Sequence, residues 1–261
     1  MQRVLTGAGL GLAAMLSGAW RWSLFAAGAL AAALSPGTYT KPVRAAVARH
    51  LCLASLDILP GVMLVCALFG LVLVRIVGSV AHDFGLAPYA TELFVRALVI
   101  ELIPLFVALF VALRSGAAFA TDVALARVNA AAVPGAAAQP GLDAEAVLAR
   151  GIGIALAVLI LTSLACFVAL AVGYVGLYGL SPWGHSAYSR AVGNVFAPVV
   201  IAGLALKLFF FAVVTGAMPV TASLAAGRGS RHVSLAAPRG LVRVFVSLAL
   251  VEAASLAFKY A

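Results

Sequence analysis

Charge is what this chain has least of. Its 8 Asp and Glu and 17 Lys and Arg amount to 10% of the 261 residues, where an ordinary soluble domain carries about 25%. That scarcity excludes a soluble globular surface, and an apolar share of 65% excludes a disordered chain. Cysteine is as sparse. Cys52, Cys66 and Cys166 lie far apart, in or beside apolar runs, with no CxxC or Cys/His spacing. A disulfide scaffold and a cysteine metal site are therefore excluded, and the three read as small buried hydrophobes. Catalytic signatures are missing too: no HExxH, no GxxxxGK[ST], no G-x-S-x-G elbow, no paired-Asp phosphotransferase pattern. His50, His82, His185 and His232 flank the apolar runs and read as interfacial side chains rather than ligands. Gly227-Arg228-Gly229 reads as a linker rather than a phosphate cradle. An enzyme is thus the least expected class, and no metal or cofactor is expected.

What the chain has is apolar length. Mean hydropathy is +1.16, and a spanning helix needs about 20 mostly apolar residues, so five or six spans fit. The predicted class is an all-α integral membrane protein. Residues 5–34 are apolar except for Arg21 between Trp20 and Trp22. A signal peptide would be shorter, and a Trp-Arg-Trp centre suits the headgroup level. This segment is read as a helix lying in the interface, with a true span as the alternative. A short basic stretch follows, with Lys41, Arg44 and Arg49, and reads as juxtamembrane. Five spans are then predicted: Ile58–Val74, Leu93–Leu113, Gly151–Tyr178, Val192–Val220 and Leu241–Phe258. The chain divides into 1–54, the interfacial and juxtamembrane helices, and 55–261, a five-helix domain. Asp143 reads as the N-cap of the third span.

The net charge of +9 contains no dense Lys/Arg cluster of the kind that grips nucleic acid. Alternating the spans from an inside N-terminal segment puts Arg3, Arg21, Lys41, Arg44, Arg49, Arg114, Arg127, Arg150, Arg228, Arg231, Arg239 and Arg243 inside. Arg75, Arg96, Arg190 and Lys259 fall outside. Under the positive-inside rule, loops 114–150 and 221–240 are cytoplasmic. Tyr178, Trp183 and Tyr188 would form an aromatic belt at the outer headgroups.

Ionisable groups inside spans are costly and face a bundle interior or a polar cavity. Lys207 and Glu252 lie at similar depths on the fourth and fifth spans and are expected to face each other, as a helix-locking pair or as a polar lining for a substrate path. In the second span, Pro104 is expected to kink the helix near Glu101. Arg96 is placed to pair with Glu92 or Glu101.

Together these residues resemble a known family. Glu101-Leu-Ile-Pro104, then Ala108, then Ala112-Leu-Arg114-Ser-Gly116-Ala-Ala, then Asp122 and Arg127, resemble the signature of MlaE-type permeases. These are the membrane subunits of ABC transporters that move lipids with MCE-domain proteins. Lys207 ahead of a Phe-rich run, with Arg239 beyond, resembles a second block of the family. The resemblance covers roughly residues 40 to 258. It implies an N-terminal elbow helix plus five spans, forming a homodimer in a bacterial inner membrane. A separate ATPase would dock on loop 114–150 and an MCE protein would sit on the outer face. A lipid cavity would be lined by the first, second and fifth spans. On this reading Glu101, Pro104, Lys207 and Glu252 belong to the substrate path, and Arg114, Gly116, Asp122, Arg127 and Arg239 to the cytoplasmic, coupling end. The chain departs from the family pattern at Ile100, at Ile103, at Ala237-Pro238 and over Val128–Gly135. The last of these replaces the polar residues of the coupling helix. These departures keep two other readings in view: a membrane scaffold on a degenerate permease fold, and a stand-alone secondary carrier using Lys207 and Glu252.

Overall fold

The computed structural model describes residues 31, 35, 40–119, 121, 122, 125, 144–225 and 230–260, with the backbone alone at 144, 218–225, 230–240 and 260. Among them there is no strand. Helix α1 is Lys41–Leu56 and α2 is Leu59–Asp83. Helix α3 opens on a 3₁₀ turn and runs over Ala87–Phe119. Helix α4 is Ala144–Tyr178, α5 is the short His185–Val195, α6 is Pro198–Ala225 and α7 is Ser230–Tyr260. Among the described residues, five stretches are long and apolar enough to cross a membrane: Leu59–Asp83, Ala87–Phe119, Glu145–Tyr178, Pro198–Ala217 and Leu241–Lys259. The predicted N-terminal interfacial helix over 5–34 and the Asp143 cap lie outside the described residues.

Local chemistry sets these boundaries. Prolines open α1, α2, α3 and α6, where a missing N–H costs nothing. Gly85 and Gly179, at φ 70° and 67°, follow the ends of α2 and α4, where the chain needs the left-handed conformation that other residues resist.

Helix α4 is the mast of the bundle, with α1, α2, α3 and α6 all packed against it. Small residues make this possible. A Cβ on Gly216 would stand 2.6 Å from the carbonyl oxygen of Gly151, so α6 and α4 cross backbone to backbone. A Cβ on Gly153 would stand 2.9 Å from His50 Cβ and 3.2 Å from Val47 O, which seats α1 equally close. The core is one cluster through α2, α3, α4, α6 and α7, with Phe94, Leu98, Leu161, Phe211 and Leu248 fully buried. Helix α1 adds a small patch of Val43 and Val47 on Ala149. Helix α7 packs on α6 and α3 and is the least buried of the five. The outward faces of α2, α6 and α7 carry large apolar side chains such as Phe69, Phe209 and Leu250, which hydrocarbon solvates without cost.

Several sequence expectations shift. The first span extends past Val74 to Asp83, so Arg75 lies on the helix rather than in a loop. The third starts before Gly151. The fourth starts at Pro198, not Val192, because the chain breaks at Phe196 and Ala197 and residues 192–195 belong to α5. Tyr188 is not a belt residue. It is 8% exposed and donates to Leu170 O at 2.7 Å, pinning α5 onto α4. Trp183, 90% exposed, fits the belt reading. Cys66 is buried, whereas Cys52 is exposed on the outer face of α1.

Two outcomes test this packing. Gly216→Ala should cost about 1–3 kcal/mol in detergent thermal unfolding, while Gly203→Ala on the same helix, with open space around its added Cβ, should change little. For His50, burial first, then the charges of Arg150 and Arg49, hold the imidazole below its ordinary value. The folded chain therefore binds fewer protons there than the unfolded one once the pH falls below about 6.5, and stability present above that pH is lost as pH falls through the lowered value. Hydrogen-exchange protection of α1, corrected for intrinsic rate, should drop between about pH 7 and about pH 5.5 and stay level in His50→Gln.

Candidate functional site

Three helices carry ionisable groups to one point, and the site begins with a defect in α3. Residues Val95–Leu102 form a π-helical stretch, in which the Ile103 N–H reaches back to Leu98 O rather than one residue less. Pro104 comes next and has no N–H. It can serve neither the carbonyl four residues back, Ile100, nor the one five back, Val99. Both oxygens are met from other helices. Cys166 on α4 donates its thiol to Val99 O at 3.7 Å, and Lys207 on α6 donates to Ile100 O at 3.2 Å. The expected disturbance at Pro104 is thus a widened turn whose freed carbonyls are satisfied by tertiary partners.

Lys207 is 3% exposed. Its ammonium also donates to Glu101 Oε2 at 2.5 Å and to Glu252 Oε1 at 2.8 Å, so the three donors of a lysine meet three acceptors on two neighbouring helices. The Phe211 ring lies 5.7 Å away, one turn along α6. Lys259 Nζ donates to the other oxygen of Glu101, Oε1, at 2.7 Å. The result is an alternating row, Lys259–Glu101–Lys207–Glu252, joining α3, α6 and α7. Glu252 Oε2 lies 2.7 Å from Lys207 Nζ but accepts no hydrogen bond from it, and is buried without a donor among the described residues. Lys207 is nine residues from Pro198, or roughly 14 Å along the helix at 1.5 Å per residue, so Lys207 sits near mid-span, while Lys259 reaches the row from the end of α7.

The facing of Lys207 and Glu252 expected from their depths is therefore what the structure shows. Glu101 and Pro104 join them, while Arg96 is not among the partners of Glu101. Lys259 was read as an outer-end residue; it does close the fifth span, and from there its ammonium joins the row. A signal was available: it follows Glu252 by seven residues, two helical turns on one face.

The second group of residues lies at the other end of α3 and does not meet the first. Arg114 and Gly116 fall in another π-helical stretch, Ala112–Gly116. Arg114 donates through Nε and Nη2 to Asp57 Oδ2 in the turn between α1 and α2. Asp122 accepts from Arg150 of α4 at 2.8 Å, and the Arg150 guanidinium covers the Phe119 ring at 4.8 Å. Asp57 and Arg114 are 61% and 64% exposed, so this pair contributes only about 0–1 kcal/mol and mainly orients. Neither Asp57 nor Arg150 had a local spacing that would reveal it, because each pairs across the fold. Arg127 lies outside the described residues. Arg239 falls on the backbone of α7, and its side chain is likewise outside the description.

An all-helical membrane protein, with five membrane-crossing helices among the described residues and a buried charged row joining three of them, is the class that this fold and cluster define. Residues 47–258 match the protein family described as Permease MlaE, and the chain belongs to that family. A search of curated proteins finds no match.

Lys207→Met should destabilise the protein by about 3–5 kcal/mol, since it leaves the Glu252 carboxylate without its cation, beside a Glu101 held by Lys259 alone. In thermal unfolding, Lys207→Met with Glu252→Gln should lose less than the sum of the two single changes. Strict additivity would remove the pair from the account.

Proposed function

We propose that this chain is the membrane-spanning permease subunit of an ABC-type lipid transport system in a bacterial inner membrane. It acts as a homodimer, with a separate ATPase on the cytoplasmic side and an MCE-domain protein on the outer side. The observation that carries the reading is the family match over 47–258, which takes in the five described spans except for Lys259 at the end of the last. The chain has no nucleotide-binding motif of its own, so ATP energy must enter from a partner. The Arg114 end of α3 is the entry point in this reading. It is tied to the α1–α2 turn through Asp57 and to α4 through Arg150, so it touches three helices at the end of the bundle. Helix α3 continues from there to Glu101 and Pro104, at the charged row. A lipid headgroup passing along α3 would meet polar groups there and apolar side chains elsewhere.

The arrangement of Lys207 speaks against a stand-alone secondary carrier. A carrier cycles its ion-binding groups between solvent and site, whereas this ammonium has every donor engaged and a side chain 2% exposed. The altered Val128–Gly135 stretch favours the scaffold reading instead, and one experiment separates the two. Affinity purification from native membranes in mild detergent, with mass spectrometry of what co-purifies, should return an ABC ATPase and an MCE-domain protein in stoichiometric amounts. The chain arriving without an ATPase would replace the permease reading by the scaffold.

A further inference from the structure

Glu101 is held on both oxygens, by two lysines from two different helices. Lys207 takes Oε2 and spends its remaining N–H groups on Ile100 O and Glu252, so it has none left for Oε1. That oxygen is met by Lys259 at 2.7 Å. The spacing along α7 makes this possible: Glu252 and Lys259, two turns apart on one face, reach Lys207 and Glu101 together. Without Lys259 the carboxylate would have one anchored oxygen and could rotate about its last bond. Helix α7 is also the least buried of the spans, so its seat against α3 leans on these bonds more than on apolar packing.

We infer that Lys259 is a positioning residue of the permease: it fixes the Glu101 carboxylate against Lys207 and thereby sets how α7 lies against α3. Its importance for transport rests on the function proposed above, while its action through Glu101 does not. A double-mutant cycle tests it. Lys259→Met is made in the wild-type chain and in Glu101→Gln, and Lys259→Arg serves as the conservative variant. Thermal unfolding is measured in detergent. The initial rate of fluorescent phospholipid transfer is measured for the purified complex in phosphatidylcholine–phosphatidylglycerol vesicles. In the wild-type chain, Lys259→Met should lower the midpoint by roughly 5 °C and the transfer rate by about fivefold. In Glu101→Gln both losses should be clearly smaller, and Lys259→Arg should keep most of both. Equal losses from Lys259→Met on the two backgrounds would overturn the inference, as would a Lys259→Met chain indistinguishable from wild type. A wild-type complex that transfers no lipid would overturn the transport reading instead. The thermal cycle needs no transport, and in that event it still decides whether Lys259 acts through Glu101.

Discussion

The arrangement of this bundle turns on one buried ammonium. Taking a lysine out of water costs several kcal/mol even after the protein relaxes around it, and hydrocarbon offers no donor or acceptor in return. Lys207 recovers that cost through three acceptors, and each constrains a different part of the fold. Glu101 fixes the rotation of α3, Glu252 fixes the height of α7, and Ile100 O fixes the wide turn before Pro104. Apolar packing alone would let these helices slide, because lipid tails compete with leucine and valine on nearly equal terms. The polar contacts select one register among many of similar packing energy.

Helix α3 is where the two candidate groups are joined and kept apart. A nine-residue α-helical segment, Ile103–Val111, lies between two π-helical stretches. The first stretch meets the buried row, and the second meets the Asp57 pair at the end of the bundle. Each widened turn is a place where a helix can change register at small cost. The segment between them is buried at Ile103, Val107, Ala108 and Val111, so it moves as a packed rod if it moves at all.

Most of the architecture was legible in the sequence, and the reasons are physical. Five apolar runs separated by turn residues leave few alternatives once length and charge are counted. The meeting of Lys207 and Glu252 followed from depth alone, because a charge in hydrocarbon must find its opposite. Other features were not local. The start of α6 was misplaced because Asn194 reads as a single polar residue in an apolar stretch, whereas the helix opens at Pro198 after the break at Phe196 and Ala197. Tyr188 read as an interface aromatic because its type suits both roles, and the choice depends on Leu170 O being within reach. Arg114 and Asp122 could be singled out, but their partners Asp57 and Arg150 could not, since nothing in their own neighbourhoods marks them. A kink was expected at Pro104, and what precedes that proline is a π-helical stretch; the pairing of Glu101 with both lysines needed three helices placed together.

The order in which the chain is made gives the charged row a further meaning. Helices α3 and α6 precede α7, so Glu101 and Lys207 can meet and neutralise each other before α7 enters the membrane. Helix α7 then brings its own carboxylate and ammonium in the pair Glu252 and Lys259, which also cancel. This lightly packed helix therefore adds no net charge to the row, and the Glu101–Lys207 pair offers it a docking point. A copy of α7 slipped by one turn would carry both charges past their partners, so the row distinguishes one register of α7 from its neighbours.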